Sequence, residues 1–477
     1  MTLTLSHLQA LLPVILISAS AIAVMLGIAW RRNHGGSALG TAIGLNLALI
    51  LVIFALGNEP VDTPLLTIDS LTLFSWVLIL VSSLACGTMA HAYLEGYKGP
   101  KEEFYLLLLT ATAGAMVLVA SRHLATLFFG LELLSMPLYG MLAYSFRERR
   151  SLEAGVKYLV LSAAGTAFLL FGMAFLYAQT GRLDLPGLAA AGFGVEGGII
   201  GLTGTVMMLV GLGFKLSIVP FHLWTPDVYE GGPGPATLFL ASVSKLAVFV
   251  VLLRLVISAP AFQGDWIREL LAVLALVTML VGNLLALQQS NLKRLLGYSS
   301  IAHFGYLLVS LVVTSNLAVE TAGVYLVTYL VATLAAFGVV TLVSSPYQGE
   351  DAAALHNYRG LFWRRPYLSA VLTVSMLSLA GIPFTAGFIG KFYILALAVE
   401  GARWWLVGGI IAASAIGLFY YLRVMVTLFL VEPGMRHRDA TPNWGLQAGG
   451  LVVIGLAFLV VVLGLYPTPL INWTAGL

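Results

Sequence analysis

Four ionisable side chains stand in stretches that are otherwise almost entirely apolar. Glu132, in "LFFGLELLSMPLYG", has nine residues before it and fourteen after it without a charge. Lys215 closes the run "GGIIGLTGTVMMLVGLGFK", Lys245 lies in "LFLASVSKLAVFVV", and Lys391 lies in "AGFIGKFYILA". A lysine at the centre of a bilayer costs about 3 kcal/mol on insertion scales, so these groups are expected to be used. The chemistry that suits them is proton exchange. An amine taken out of water holds its proton less tightly, and a carboxylate within about 4–6 Å restores the hold. A buried lysine near a movable glutamate therefore keeps a proton in one arrangement and releases it in another. Arginine could not do this, because it does not deprotonate in proteins. The sequence predicts that Glu132 tunes Lys215, which exchanges protons through Lys245 and internal water with Lys391. Lys157, in "GVKYLVLSA", and His303, in "SSIAHFGYLL", lie nearer helix ends. Snorkelling is the alternative reading for Lys157, and a hydrogen-bonded helix contact is the alternative for His303.

The rest of the chain must place these groups at membrane depth. Of 477 residues, 60% are hydrophobic and 9% charged, against about 25% charged in soluble proteins. That leaves too little polar surface for a soluble shell, so the lipid bilayer is the expected surrounding and nucleic acid is not an expected partner. The first apolar stretch is long enough to span, and no small-residue cleavage site follows, so no cleavable signal peptide is expected. The lone cysteine, Cys86 in "SSLACGTMA", excludes an intrachain disulfide, a cysteine-ligated iron–sulfur cluster and a structural zinc site. It reads as a packing residue. No G-x-x-x-x-G-K-[ST] loop or dinucleotide fingerprint is present, and paired histidines for haem are lacking. No metal or cofactor is expected in the chain. The energy must be electrochemical or delivered by another protein. Glycines 194, 197, 198, 201 and 204 read as a loop followed by a small face for close helix packing.

Apolar stretches of bilayer length number about fourteen, at 8–30, 37–57, 70–94, 104–120, 123–145, 154–178, 198–224, 236–258, 267–288, 294–313, 318–343, 367–399, 404–431 and 445–471. The twelfth is overlong and interrupted by glycine and proline, which predicts a broken helix. Of 24 lysines and arginines, 14 fall in odd-numbered loops, Lys293, Arg436 and Arg438 among them. Even-numbered loops hold 4, namely Arg122, Arg182, Arg268 and Arg403. The positive-inside rule then puts odd loops in the cytoplasm and both termini on the periplasmic side.

"LSIVPF" at 216–221 and "LAGIPF" at 379–384 match at an offset of 163, and the same shift carries the fourth span onto the ninth. Five helices per copy is odd, so the copies are inverted. The expected fold is all-α and polytopic, with two inverted five-helix repeats that each contain a broken helix. Three helices (1–103) precede the repeats (104–258 and 266–431), and one helix (445–477) follows them. Within the breaks, Pro220 should deprive the Leu216 carbonyl of its donor and Pro383 that of Leu379. Unpaired backbone at membrane depth implies internal water, as at the sites of inverted-repeat carriers; simple kinking for packing is the alternative.

"GFKLSIVPFHLWTPDVYEGGPGP", with "GLELLSMPLYG" ahead and "LAGIPFTAGFIGKF" behind, resembles the antiporter-like subunits of respiratory complex I over nearly the whole chain. Three paralogues and the Mrp-type Na+/H+ antiporter subunits share that fold. Three features single out one paralogue: the "WTPDVYEG" ending, a lysine rather than an acid at 391, and an expected stop after helix fourteen. The resemblance implies that Glu132 and Lys215 match the family's Glu–Lys pair, Lys245 the connecting lysine and Lys391 the exit-side lysine. Lys157, His303 and Lys293 match further relay positions. It implies proton translocation in a bacterial cytoplasmic membrane, driven by quinone reduction elsewhere in an NADH:quinone oxidoreductase. FMN, iron–sulfur clusters and quinone would belong to other subunits, and the partners would be other membrane-arm subunits, paralogues among them. An Mrp-type exchanger of Na+ for H+ is the alternative. A structural spacer would make the buried charges dispensable, and a channel would need a ring of acids or carbonyls that is not seen.

Overall fold

The computed structural model describes residues 5–190, 198–258, 264–313, 315, 317–431 and 444–477. The readings made for Gly194, Gly197, Arg436 and Arg438 lie outside the described residues. The chain is a bundle of long apolar helices. The first six are α1 (Leu5–Trp30), α2 (His34–Ala55), α3 (Ser70–Glu95), α4 (Glu103–Val119), α5 (Leu124–Leu142) and α6 (Arg149–Thr180). After the short α7 (Leu185–Ala190) come α8 (Gly198–Leu216), α9 (Trp224–Gly231) and α10 (Gly234–Phe239). A π-helical turn, Leu240–Ser244, joins α10 to α11 (Lys245–Ser258). The second half holds α12 (Asp265–Leu287), α13 (Leu292–Leu308), α14 (Leu317–Val343) and the one-turn α15 (Leu361–Arg364). It ends with α16 (Pro366–Ala380), α17 (Ala386–Glu400), α18 (Trp404–Phe429), α19 (Trp444–Leu465) and the short α20 (Thr468–Thr474).

Eleven of these elements are long and apolar enough to cross a membrane, taking α10, the π turn and α11 as one, and α4 and α16 are shorter apolar helices. The chain is therefore a multi-pass, helical membrane protein. The count of fourteen crossings also needs α4, α13 and the α16–α17 pair, each shorter than a bilayer on its own.

Loops predicted to share a face do meet. Among even-numbered loops, Leu66 bridges Ser121 and His123 bridges Asp184. Among odd-numbered loops, Asn291 bridges Ala354, and the Tyr347 amide donates to the Tyr93 carbonyl in the last turn of α3. One local departure from the all-α reading is a two-residue hairpin, β1 (Val61–Asp62) with β2 (Thr67–Ile68), between α2 and α3. Too short to have a periodic pattern, it gave no signal in the sequence.

Burial explains the arrangement. Helix α14 and the α10–α11 unit are almost wholly enclosed, whereas α1, α2 and α19 expose most of their apolar surface. Small residues set the closest approaches. A Cβ added at Gly172 would lie 2.6 Å from the Gly204 carbonyl oxygen, and one at Gly211 would lie 2.8 Å from that of Gly165. The glycine face expected near 201–204 thus extends along α8 and seats it on α6. Cys86 is fully buried, its thiol 3.2 Å from the Pro235 carbonyl, in keeping with a packing residue.

Arg254, near the far end of α11, makes a two-pronged pair with Asp69 at 2.7 and 2.9 Å, and Asp69 also caps α3 by accepting from the Thr72 amide at 2.9 Å. Burial pushes the Asp69 carboxyl up, but Arg254 and Thr72 outweigh it and hold the group below the usual carboxylate range. A depressed folded-state value stabilises fully above about pH 4, and that contribution is lost as pH falls through the folded value. The thermal midpoint of the detergent-solubilised protein should therefore drop between pH 5 and pH 3. Asp69→Asn should lower the midpoint at pH 7, by about 2 kcal/mol of stability, and should flatten the acid drop. An equally steep drop in the variant would contradict this.

Candidate proton-transfer site

The site begins with helix periodicity. Glu132, Ser135 and Tyr139 fall on one face of α5, and Tyr158, Ser162 and Thr166 fall on one face of α6. The end of α8 carries Lys215 between these faces. Its ammonium donates to the Ser135 hydroxyl at 2.7 Å and to the Ser162 hydroxyl, and it lies 5.8 Å from the centre of the Tyr158 ring. Only 4% of Lys215 is exposed. Glu132 is half-buried and accepts from Thr166 at 2.9 Å. The acid and the lysine thus bond to hydroxyls one turn apart on α6 and form no direct ion pair. Tyr139 shares the Ser162 hydroxyl at 2.9 Å.

Helix α8 stops at Leu216 because Ser217 turns left-handed, with φ of 63°, and the Ile218 amide reaches back to the Gly213 carbonyl at 2.9 Å. Trp224 reinforces the break by donating to the Phe214 carbonyl at 3.1 Å. Pro220 lies in the connection to α9. This corrects the sequence expectation, which had Pro220 interrupt a continuing helix; the helix has ended four residues earlier, at Leu216.

The second break repeats the scheme. Helix α16 stops at Ala380, Gly381 is left-handed with φ of 82°, and the Ile382 amide returns to the Leu377 carbonyl at 3.0 Å. Pro383 lies in the connection to α17. The carbonyl that gains a partner is that of Ala380 rather than the expected Leu379. The Lys391 ammonium donates to it at 2.8 Å and to Ser414 at 3.2 Å, and sits 5.2 Å from the centre of the Tyr306 ring. The negative end of a helix dipole suits an ammonium there. Lys391 is partly exposed, unlike the other two lysines.

Lys245 is fully buried between them. The π turn before it widens the helix and turns its side chain toward α13, where it donates to Ser300 at 3.0 Å. Ser300 bonds Tyr329 at 2.8 Å. The rings of Tyr229 and Phe304 lie 5.7 and 5.2 Å from the ammonium. Tyr158, whose ring lies 5.8 Å from the Lys215 ammonium, stands near Ser135 and near Ser244, the residue before Lys245. Beyond Ser300, one turn along α13, His303 bonds Tyr325 at 2.7 Å and Tyr421 at 3.2 Å. A cavity of about 10 Å³ lies between His303 and the Ser378 and Gly387 walls of the second break, enough for one water.

Two expected relay residues are placed differently. Lys157 faces the break in α8–α9 and pairs with Glu153 at 2.7 Å and Asp227 at 2.8 Å. Asp227 also receives Arg294 at 2.6 Å. Lys293, counted in the sequence as a loop cation, is instead the second residue of α13. It is fully buried and paired with Asp351 at 2.7 Å. The turn that begins α13 buries its own loop, so charge counting misassigned it. The sequence reading missed Asp351 and the hydroxyls of α5, α6, α13 and α14. Of these, only Ser135, three residues from Glu132, and Ser299 and Ser300, four and three residues from His303, carry a helical spacing that could have flagged them. Among the described residues no group of three or more metal-ligating side chains converges.

Residues 121–417 match the family model described as NADH:quinone oxidoreductase/Mrp antiporter, transmembrane. A protein of Chromohalobacter salexigens named NADH-quinone oxidoreductase subunit N is 68% identical over 98% of each chain. The chain therefore belongs to the NADH:quinone oxidoreductase/Mrp antiporter family. Among solved structures, a chain of respiratory complex I from Thermus thermophilus is 34% identical, with a TM-score of 0.82 over 97% of this chain and 99% of that one. A chain of the Mrp complex from Dietzia shares the fold at 18% identity, with a TM-score of 0.86 over 98% of this chain and 96% of that one.

Gly381 tests the second break. A Cβ there would meet Lys391 Cδ at 2.6 Å in a backbone region that L-residues avoid. Gly381→Ala should destabilise the protein by about 1–3 kcal/mol and detach Lys391 from the Ala380 carbonyl. Thermal unfolding and a structure of the variant check both; an unchanged midpoint with Lys391 in place would contradict this.

Proposed function

We propose that this chain is a proton-translocating membrane-arm subunit of an NADH:quinone oxidoreductase. It moves H+ through buried glutamate and lysine side chains and internal water, and quinone reduction elsewhere in the complex drives it. The observation that carries the reading is the series of ammonium groups, Lys215, Lys245 and Lys391, each bonded to neutral hydroxyls or carbonyls rather than to a fixed counter-ion. A lysine locked to a carboxylate would keep its proton. One held only by neutral partners can give it up when the hydration or the charge nearby changes. Likeness to the relative named subunit N supports the oxidoreductase over Na+/H+ exchange, which would use the same lysines.

In this reading Glu132 acts on Lys215 across the Ser162–Thr166 turn of α6. Lys215 exchanges with Lys245 by way of Tyr158 and Ser244. Lys245 passes protons along Ser300, Tyr329 and His303, and a water beside the second break completes the route to Lys391. The partial exposure of Lys391 suits an exit. Lys157 modulates the first break through Asp227. The two breaks, each with a left-handed residue ahead of its proline, are the matching elements of the two inverted repeats. The chain sits in a bacterial cytoplasmic membrane with both termini on the periplasmic side. Its partners are other membrane-arm subunits, paralogues included. Flavin, iron–sulfur clusters and quinone belong elsewhere in the assembly.

The test uses the assembled oxidoreductase in sealed vesicles. Lys215→Ala should leave NADH oxidation measurable and the complex assembled, while the number of protons moved per NADH falls. Lys215→Arg should not restore it, because a guanidinium holds its proton. An unchanged proton yield in Lys215→Ala would overturn the proposal.

A further inference from the structure

The buried face of α12 carries two polar side chains among its apolar ones, Thr278 and Asn283. Thr278 accepts from the Val219 amide of the first break at 3.1 Å. Asn283, 2% exposed, reaches toward the second break. Its amide nitrogen donates to the Met279 carbonyl at 2.8 Å and to the Tyr306 hydroxyl at 3.3 Å, and its amide oxygen accepts from the Tyr420 hydroxyl at 2.9 Å. The Met279 carbonyl can only accept, which fixes the two ends of the amide. Room for that amide comes from α18, where a Cβ at Gly417 would lie 2.9 Å from the Asn283 oxygen. A buried amide is costly unless all its bonds are made, whereas a leucine there would have none to make. A use for these bonds is therefore expected.

What Asn283 holds is the ring on which Lys391 rests. Tyr306 is 1% exposed, and its ring centre lies 5.2 Å from the Lys391 ammonium and 6.0 Å from the ring centre of His303. That ammonium has two other supports, the Ala380 carbonyl and the Ser414 hydroxyl. One is backbone and the other a short side chain, so helix packing alone places both. The ring stands at the end of two rotatable bonds and needs a tether. The hydrogen bond from Asn283 supplies it, since fixing the hydroxyl fixes the long axis of the ring and so the place of its centre. Tyr420 braces the amide from the other side.

We propose that Asn283 is a positioning residue for Lys391: it holds Tyr306 in place, and through that ring face it sets how firmly Lys391 keeps its proton. This rests on the proposed translocation. A ring face attracts an ammonium far more than a neutral amine, and in a desolvated site the difference is about tenfold in proton affinity. The ring is neutral, so it strengthens the hold without a counter-ion that would lock the proton. The other titratable side chains around Lys391 are His303 on α13, Tyr325 on α14, which packs against Gly390, and Tyr421 on α18, which bonds His303. Glu320, in the first turn of α14, interacts with Tyr393. Helix α19 carries no titratable side chain among its described residues, and Tyr367 of α16 is exposed at the opposite end of that helix.

The test is the pH profile of protons moved per NADH by the assembled oxidoreductase in sealed vesicles, read beside the amount of intact complex. Lys391 reloads only at a pH that permits its ammonium, so the yield falls on the alkaline side. Asn283→Leu, which keeps the shape, and Tyr306→Leu, which removes the ring, should each move that fall about one unit to lower pH. The double variant Asn283→Leu/Tyr306→Leu should move it no further than Tyr306→Leu alone, because Asn283 acts through the ring. Shifts that add in the double variant would overturn the proposal, since Asn283 would then act by another route. An unmoved profile in Asn283→Leu, with the yield lost in Lys391→Ala, would overturn it and leave the translocation reading standing. A full yield in Lys391→Ala itself would overturn both. If Asn283→Leu reduces the amount of intact complex, Tyr306→Phe, which removes only the tethered hydroxyl, decides: a profile moved to lower pH supports the tether and an unmoved one overturns it.

Discussion

An ammonium group in hydrocarbon must be solvated by something, and the choice of solvating group decides what the lysine can do. Here the partners of Lys215, Lys245 and Lys391 are serine hydroxyls and a helix-terminal carbonyl, with aromatic faces nearby. Neutral dipoles satisfy the donors of the charged form without adding the full counter-charge that would lock it. The same dipoles still accept a hydrogen bond from a neutral amine, so neither state leaves a buried orphan. This weak solvation is the constraint from which the rest of the fold follows. For Lys391 it requires a helix that ends inside the bundle, because only a helix end offers an unpaired carbonyl at depth.

The two breaks solvate their lysines in different ways. At the first, Ser217 ends α8 directly after Leu216, and the lysine belongs to the helix that stops. At the second, Gly381 ends α16, and the lysine reaches back from the helix that starts. One lysine therefore sits among hydroxyls of α5 and α6, the other on a carbonyl of its own broken helix. The π turn ahead of Lys245 is a third irregularity with the same purpose, since it aims a side chain at Ser300 that a regular helix would turn elsewhere. Cations outside this set are treated differently. Lys157, Arg254, Lys293 and Arg403 each meet a carboxylate, and Arg423 caps the Leu287 and Gln289 carbonyls.

Much of this could be read from the residues. Hydropathy gave the helices and the broken character of the twelfth span, and the cost of a buried charge singled out Glu132, Lys215, Lys245 and Lys391. Loops of the same parity meet, as the alternation of crossings implies. What hydropathy cannot see is where a helix stops within an apolar run, so Pro220 and Pro383 were read as interruptions when Ser217 and Gly381 had already turned the chain. Nor does it see which polar residue faces which. Ser162 and Ser300 resemble dozens of other small residues until packing puts an ammonium on them. Lys293 falls one residue before the tenth apolar stretch, 294–313, and so counts as a loop cation, although the first turn of α13 buries it against Asp351. The π turn "LASVS" carries no pattern that separates it from α-helix.

The central claim is that these lysines change protonation as the protein works. Nitrogen-15 resonance of lysine side chains, recorded on the assembled oxidoreductase at rest and during steady NADH oxidation, measures this directly. Lys215→Ala, Lys245→Ala and Lys391→Ala would identify the signals. The account predicts that at least one of the three moves between ammonium and amine positions when turnover begins. Signals fixed at the ammonium position for all three, throughout turnover, would contradict it.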